Sequence, residues 1–362
     1  MAALDDPATA GLDTLGLLGA HGEAVAALDR AVDRARALEI PFPPDAVREV
    51  AVCGMGGSAI AGDLLAGAYR ERLRRPLAVI RDYGLPGWVG EHTLVVPISY
   101  SGTTEETLTS TMDAVDRASL VVAISTGGKL GTFYGQQGVP VLEPPPAPMP
   151  RAGLVGMLAC LAVLLERMGV IAHIDSDLAE ARETLAASVR AYGPGSPEAE
   201  NPAKQLATLL DGAVPIVWGA ELTAAVAYRW KCQINENAEI PAFWGVLPEA
   251  DHNEICAFPG MGRLGRDAHV VMLRDPRNHR QVERRFDLTR ELVAPEVRGV
   301  TSIEAEGQSP LARMLDLVML GDYASIYLAF LRDVDPGPIG MIDRLKERLA
   351  TTGHGRAQGP AA

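Results

Sequence analysis

Between positions 15 and 38 apolar residues recur every three or four places, the spacing of one helical face, and the run ends at Pro41-Phe42-Pro43-Pro44. An unbroken apolar run, Val50-Ala51-Val52-Cys53, comes next, then glycines and a small-residue helical stretch over 58–70. The alternation continues with strands at 77–80, 94–98, 120–124 and 139–142, a helix over 104–118, and a Pro-rich bend at 144–148. Short strands that are apolar on both faces and separated by helices predict a parallel sheet covered on both sides. A long apolar helix then runs from Arg151 to about Met168, and a helix-rich connector covers 175–210. A second alternation opens with a strand at 214–219 and a helix at 222–237. It continues with strands at 270–273 and near 299–301, and helices at 309–331 and 338–349. The pattern predicts an α/β chain of two tandem doubly wound parallel-sheet domains with flanking helices, over 14–170 and 200–350. The first thirteen and the last ten residues read as loose tails.

Composition narrows the class. A chain of 362 residues fits two domains, and 48% hydrophobic with 22% charged residues fits a globular core. The formal charge of −13 argues against a general nucleic-acid binder, but not against a small anionic substrate held by local amides and hydroxyls. Cys53, Cys160, Cys232 and Cys256 form no C-x-x-C pair, so they read as reduced thiols of a cytosolic protein. The seven histidines are scattered, with no metal-ligand spacing, and no metal or cofactor is expected. The start lacks the basic and apolar regions of a secretory signal. The longest apolar stretch, 152–165, is short for a bilayer. A cytoplasmic location, with neither membrane nor nucleic acid as partner, is the expectation.

In open α/β sheets ligands bind beyond the carboxyl ends of the strands, and two loops here follow strands. The first, Cys53-Gly54-Met55-Gly56-Gly57-Ser58, lets backbone approach an anion, with Ser58 expected to cap the next helix. Its glycines do not fall as G-x-G-x-x-G, so a dinucleotide is disfavoured; the plain alternative is a tight packing turn. The second, Ser99-Tyr100-Ser101-Gly102-Thr103-Thr104, sets four further hydroxyl side chains around one glycine at a strand-to-helix turn. Ser and Thr there are ordinarily a polar turn or a helix cap. Their density beside a second Gly-Ser loop favours phosphate, and the missing Walker lysine and Gly-Lys-Ser triplet exclude a P-loop nucleoside triphosphatase.

The Gly-Gly-Ser loop followed by Ser-x-Ser-Gly-x-Thr-x-Glu-Thr resembles the sugar isomerase (SIS) domain family. Three further motifs are similar to the bifunctional phosphoglucose/phosphomannose isomerases of archaea and actinobacteria. They are Asn235-Glu236-Asn237-Ala238-x-Ile240-Pro241-Ala242-Phe243, Pro248-Glu249-x-Asp251-His252-Asn253-Glu254 and Gly321-Asp322-Tyr323-Ala324-Ser325. Asp335-Pro336-x-Pro338 and Leu345-Lys346 extend the resemblance, which spans residues 40–350.

It implies an SIS-type fold and metal-free exchange of glucose 6-phosphate and mannose 6-phosphate with fructose 6-phosphate through a cis-enediol. It also implies Glu236 as the base, and His252 and Lys346 as ring-opening groups. Arg151 lies near the sugar, and Gly57, Ser58, Ser99, Ser101 and Thr104 hold the phosphate end. A homodimer with His252 donated across the interface is implied too. Taken on residue type alone, Glu236 is a solvent-facing helix acid, His252 a solvated loop residue and Lys346 an exposed helix lysine. Gly337, between Pro336 and Pro338, is unusually small for a position near C2 of the sugar. The competing functions are isomerisation of another phosphosugar and non-catalytic sensing of a sugar phosphate. Sensors usually carry a basic DNA-binding domain, which this acidic chain lacks.

Overall fold

The computed structural model describes residues 3–6 and 8–352. The first amphipathic run forms two helices rather than one, α1 (Leu17–Gly22) and α2 (Ala24–Ala37), parted at Glu23. Gly19 and Gly22 are poor helix formers and weaken the run just there. Next come β1 (Glu49–Cys53), α3 (Gly56–Ala68), β2 (Leu77–Ile80), β3 (Thr93–Ser99) and α4 (Glu105–Asp116). The strand expected at 120–124 is interrupted at Val122 into β4 (Leu120–Val121) and β5 (Ala123–Ser125), both paired with β3. A helix the pattern did not show, α5 (Gly128–Gln137), precedes β6 (Val141–Leu142); its glycines hide it.

The first sheet runs β2-β1-β3-β5-β6 with β4 beside β3, every pairing parallel. From β1 the chain crosses to β2 on one side, then returns to build β3, β5 and β6 on the other. The order therefore reverses between β1 and β3, and ligands of such sheets bind in the crevice beyond the carboxyl ends of the strands at that switch point.

The long apolar helix is α6 (Leu154–Arg167); Arg151 lies in the turn before it, not in its first turn. The connector holds α7 (Asp175–Tyr192) and α8 (Pro202–Leu210). Then follow β7 (Val214–Ala220), α9 (Leu222–Asn237), β8 (Phe243–Leu247), 3-10 segments at Glu249–His252 and Glu254–Gly260, α10 (Arg263–Asp267) and β9 (Ala268–Arg274). The chain continues with α11 (Arg280–Val293), β10 (Gly299–Glu304), α12 (Pro310–Leu331) and α13 (Gly340–Thr352). The second sheet is parallel too, ordered β10-β9-β7-β8.

α12 is the axis of the core. Its side chains are buried without a break from Leu311 to Phe330, which is why it shows no polar face. It outlasts the 152–165 stretch and is long and apolar enough to cross a bilayer, yet 94% of its apolar window is buried within the fold. α9 lies against it, with the Trp230 indole donating to the Leu317 carbonyl at 2.8 Å.

The N-terminal stretch is not loose. Leu4 is buried, and the Asp5 carboxylate accepts from Lys204 Nζ at 2.8 Å and from the Glu198 amide at 2.9 Å. A buried ammonium needs an acidic partner, and Asp5 supplies it. The last ten residues lie outside the described part of the chain.

Candidate active site

Hydroxyl groups line the crevice at the end of the first sheet. Ser58 does not cap α3; it sits inside the first turn, and its Oγ accepts the Tyr100 amide at 3.3 Å, tying the β1 loop to the β3 loop. Ser99 Oγ and Thr104 Oγ1 share a hydrogen bond of 2.9 Å, and Ser101 Oγ and Thr103 Oγ1 one of 3.0 Å. Each hydroxyl carries one hydrogen, so each pair keeps one to offer a ligand, and Ser58 offers another. Thr104 leads into α4 without capping it, which leaves the first amides of that helix open to an anion. Thr107 Oγ1 is buried there without a hydrogen-bond partner among the described residues.

A third loop, which sequence reasoning missed, completes this cradle. Ser125-Thr126-Gly127-Gly128 follows β5, and Thr126 donates amide and hydroxyl to the Tyr100 carbonyl. Gly102 has φ +64°, and a side chain there would overlap the Gly127 carbonyl at 1.8 Å, so the two loops meet backbone to backbone. The same Ser-Thr-Gly signal after an apolar run was present in the sequence.

Arg151 and Glu236 meet at the seam between the two sheets. A Cβ on Gly57 would lie 3.1 Å from the Arg151 backbone, so the loop after β1 abuts Arg151 directly. The Arg151 guanidinium is 3% exposed and lies 3.5 Å (Nη1) from the Glu236 carboxylate, whose side chain is 26% exposed. Its other nitrogens are fixed: Nε donates to Asn237 Oδ1 at 2.7 Å, and Nη2 to the carbonyls of Pro336 and Gly337 at 2.5 and 2.9 Å. Burial pulls its pKa below arginine's ordinary value, and Glu236 pulls back the other way. Behind it Arg229 donates to the Arg151 carbonyl at 3.0 Å and grips Asp322 through two bonds of 2.9 and 2.6 Å.

Gly337 is small for a reason other than room around a sugar. A side chain there would meet Leu15 at 2.8 Å, and its carbonyl is one of the Arg151 acceptors.

The chain does not bring every expected residue to this point. His252 is exposed on a 3-10 turn beyond β8, the edge strand of the second sheet, and its side chain makes no hydrogen bond among the described residues. Its neighbour Asp251 is tied to α11 instead, through Arg285 (3.0 Å) and Thr289 (2.7 Å). Lys346 stands exposed on α13, whose Met341 and Leu345 are exposed as well. Among the described residues no group of three or more His, Cys, Asp or Glu side chains is placed to hold a metal.

Comparison with known proteins gives this geometry a context. A family model described as the bacterial phospho-glucose isomerase C-terminal SIS domain matches residues 199–349. A bifunctional phosphoglucose/phosphomannose isomerase from Caldicellulosiruptor bescii is 38% identical, the match covering 89% of this chain and 96% of the relative. One from Aquifex aeolicus is 36% identical over 83% of this chain and 90% of its own. The solved structure of a glucose-6-phosphate isomerase like protein from Thermus thermophilus shares the fold, with a TM-score of 0.64 at 22% identity, covering 94% of this chain and 100% of that one.

Proposed function

The chain belongs to the bifunctional phosphoglucose/phosphomannose isomerase family and is a sugar-phosphate isomerase, and from that premise we propose that it interconverts glucose 6-phosphate and mannose 6-phosphate with fructose 6-phosphate, without a metal, in the cytoplasm. The observation that carries this is the Glu236 carboxylate facing a buried Arg151 guanidinium at 3.5 Å, one glycine away from a hydroxyl-lined cradle.

The domain over 14–170 supplies that cradle and Arg151; the domain over 200–350 supplies Glu236. Ser58, Ser99, Ser101 and Thr104 hold the phosphate, with Gly57 giving the close approach. They thereby set how far C1 and C2 reach towards the seam. His252 of the second subunit of a homodimer and Lys346 open the sugar ring. Support for the shared site is that the His252 side chain has no hydrogen-bond partner among the described residues and stands beyond an edge strand that also exposes Phe243 and Trp244.

Glu236 then removes the proton from C2 of the open aldose. The C–H electron pair becomes the C1=C2 π bond, and the C1=O π pair moves onto O1, which takes up the proton that O2 releases. The electron pair left on O2 then forms the C2 carbonyl, while the C1=C2 π pair takes the proton back from Glu236 at C1 and yields the ketose. Charge on the oxygens in between is met by Arg151, held in place before the reaction begins.

Protein treated with EDTA and given fructose 6-phosphate is expected to form both aldose phosphates, followed separately; formation of neither sinks the proposal. Glu236→Gln should lower kcat by about 10²–10⁴-fold, the span of a lost general base. Mixing exchanged Glu236→Gln and His252→Ala subunits should recover part of the activity, and no recovery removes the shared-site arrangement.

A further inference from the structure

We propose that Asn237 is a positioning residue for the reaction: held by Ser325, it aims the Arg151 guanidinium at the place where Glu236 works. The assignment rests on the roles given above to Arg151 and Glu236. Asn237 closes α9 and follows Glu236 directly, so the two share backbone, while successive helical side chains diverge by about 100°. Glu236 thus meets the crevice and Asn237 the interior, where it is fully buried.

The orientation of the amide is determined by its neighbours. Ser325 Oγ donates its single hydrogen to the Asp322 carbonyl at 2.8 Å, so it accepts from Asn237 Nδ2, also at 2.8 Å. The amide oxygen is then left to face Arg151, and it takes Nε at 2.7 Å. With Nη2 on the Pro336 and Gly337 carbonyls, only Nη1 remains for the crevice, and this is the nitrogen 3.5 Å from Glu236.

Charge makes the choice of an amide meaningful. Asn237 and both carbonyls are neutral, so they fix the guanidinium without cancelling it. The buried acid Asp322 is committed to Arg229, which also holds the Arg151 carbonyl. Aspartate at 237 would keep the shape and the acceptor but bring a negative charge against Nε, weakening the pull of Arg151 on developing charge in the sugar.

The test uses the full chain carrying Asn237→Asp, Ser325→Ala or Arg151→Gln. Steady-state isomerisation of fructose 6-phosphate and thermal melting are measured, with binding of inorganic phosphate and of 5-phosphoarabinonate, whose carboxylate stands for the enediolate. Asn237→Asp and Arg151→Gln should lose about 10–100-fold in kcat while KM and phosphate affinity stay within about twofold, since the guanidinium is misaligned or neutralised rather than the phosphate released. Both should bind 5-phosphoarabinonate more weakly. Ser325→Ala, which deletes one hydrogen bond, should shift the same two quantities in the same direction and by less. Wild-type kcat and arabinonate affinity in folded Asn237→Asp or Ser325→Ala, alongside an impaired Arg151→Gln, overturn the role of Asn237 alone. Undiminished kcat in Arg151→Gln overturns the assignment of Arg151 itself. Should Asn237→Asp not fold, Ser325→Ala decides.

Discussion

Gly102 shows how much of the site is written in single residues. Its φ of +64° and the carbonyl of Gly127 in the space of a Cβ allow no side chain. Gly102→Ala should push the β3 and β5 loops apart and raise KM for the sugar phosphate by about tenfold or more, because binding groups an ångström out of place lose contact; steady-state kinetics with fructose 6-phosphate measure it. The thiols differ as sharply. Burial pushes the Cys53 and Cys160 pKa values up to about 12, so neither is a thiolate near neutrality, whereas Cys256 is exposed. A chromogenic disulfide reagent should label Cys256 quickly in the native protein and reach Cys53 and Cys160 only after denaturation, as peptide mapping of the labelled sites will show. At this scale the sequence was readable where one residue type repeats its message, as in Ser99 to Thr104. It was silent on Asn237 and Ser325, whose importance comes from what lies opposite them across the fold.

Elements were legible in proportion to their contrast. α9 appears over the very residues its pattern predicts, because its ends are set by Glu221 and by the segment leading to Pro241. β8 was missed since Gly245 interrupts it and Phe243 and Trp244 stay exposed on the sheet edge. α11 was missed behind its many charges, although Val282, Phe286, Thr289 and Val293 fall at helical spacing on its buried side. The packing of α9 on α12 depends on an absence that no periodicity reveals: a Cβ on Gly321 would sit 2.2 Å from the Trp230 ring nitrogen. Gly321→Ala is expected to cost about 1–3 kcal/mol of stability through overpacking, read from urea denaturation. Activity per folded molecule should fall too, since the helices carrying Asn237 and Ser325 are prised apart.

For the whole molecule, the decisive feature is a seam of buried charge between the two sheets. Arg229 and Asp322 pair fully buried, and His21 stands 4.0 Å from the same carboxylate. Burial lowers the His21 pKa below its ordinary 6.5, and the pull of Asp322 does not make up the difference. Folded His21 therefore stays neutral at a pH where the unfolded chain has already bound the proton. The unfolded state then holds more protons, so its contribution to stability is complete above about 6.5 and is lost as pH falls below that value. Urea melts of wild type and His21→Phe at about pH 7.5 and 5.5 should show the wild type losing more stability on acidification. Equal losses would place the acid sensitivity elsewhere. The two-domain parallel architecture was visible in the alternation of elements, but this seam was not, because its members lie far apart along the chain.

The grip of Arg151 on Pro336 and Gly337 also bears on how the protein is made. Those carbonyls lie 185 and 186 positions beyond the arginine they receive. The first sheet can fold while the rest is still being synthesised, as domains generally do. Its hydroxyl cradle is then complete while Arg151 still lacks all three of its acceptors, Asn237 Oδ1 and the carbonyls of Pro336 and Gly337, and the carboxylate it faces. On the roles proposed for Arg151 and Glu236, the order of translation leaves a half-made chain without its working pair until the backbone at 336–337 arrives, with α13 still to follow.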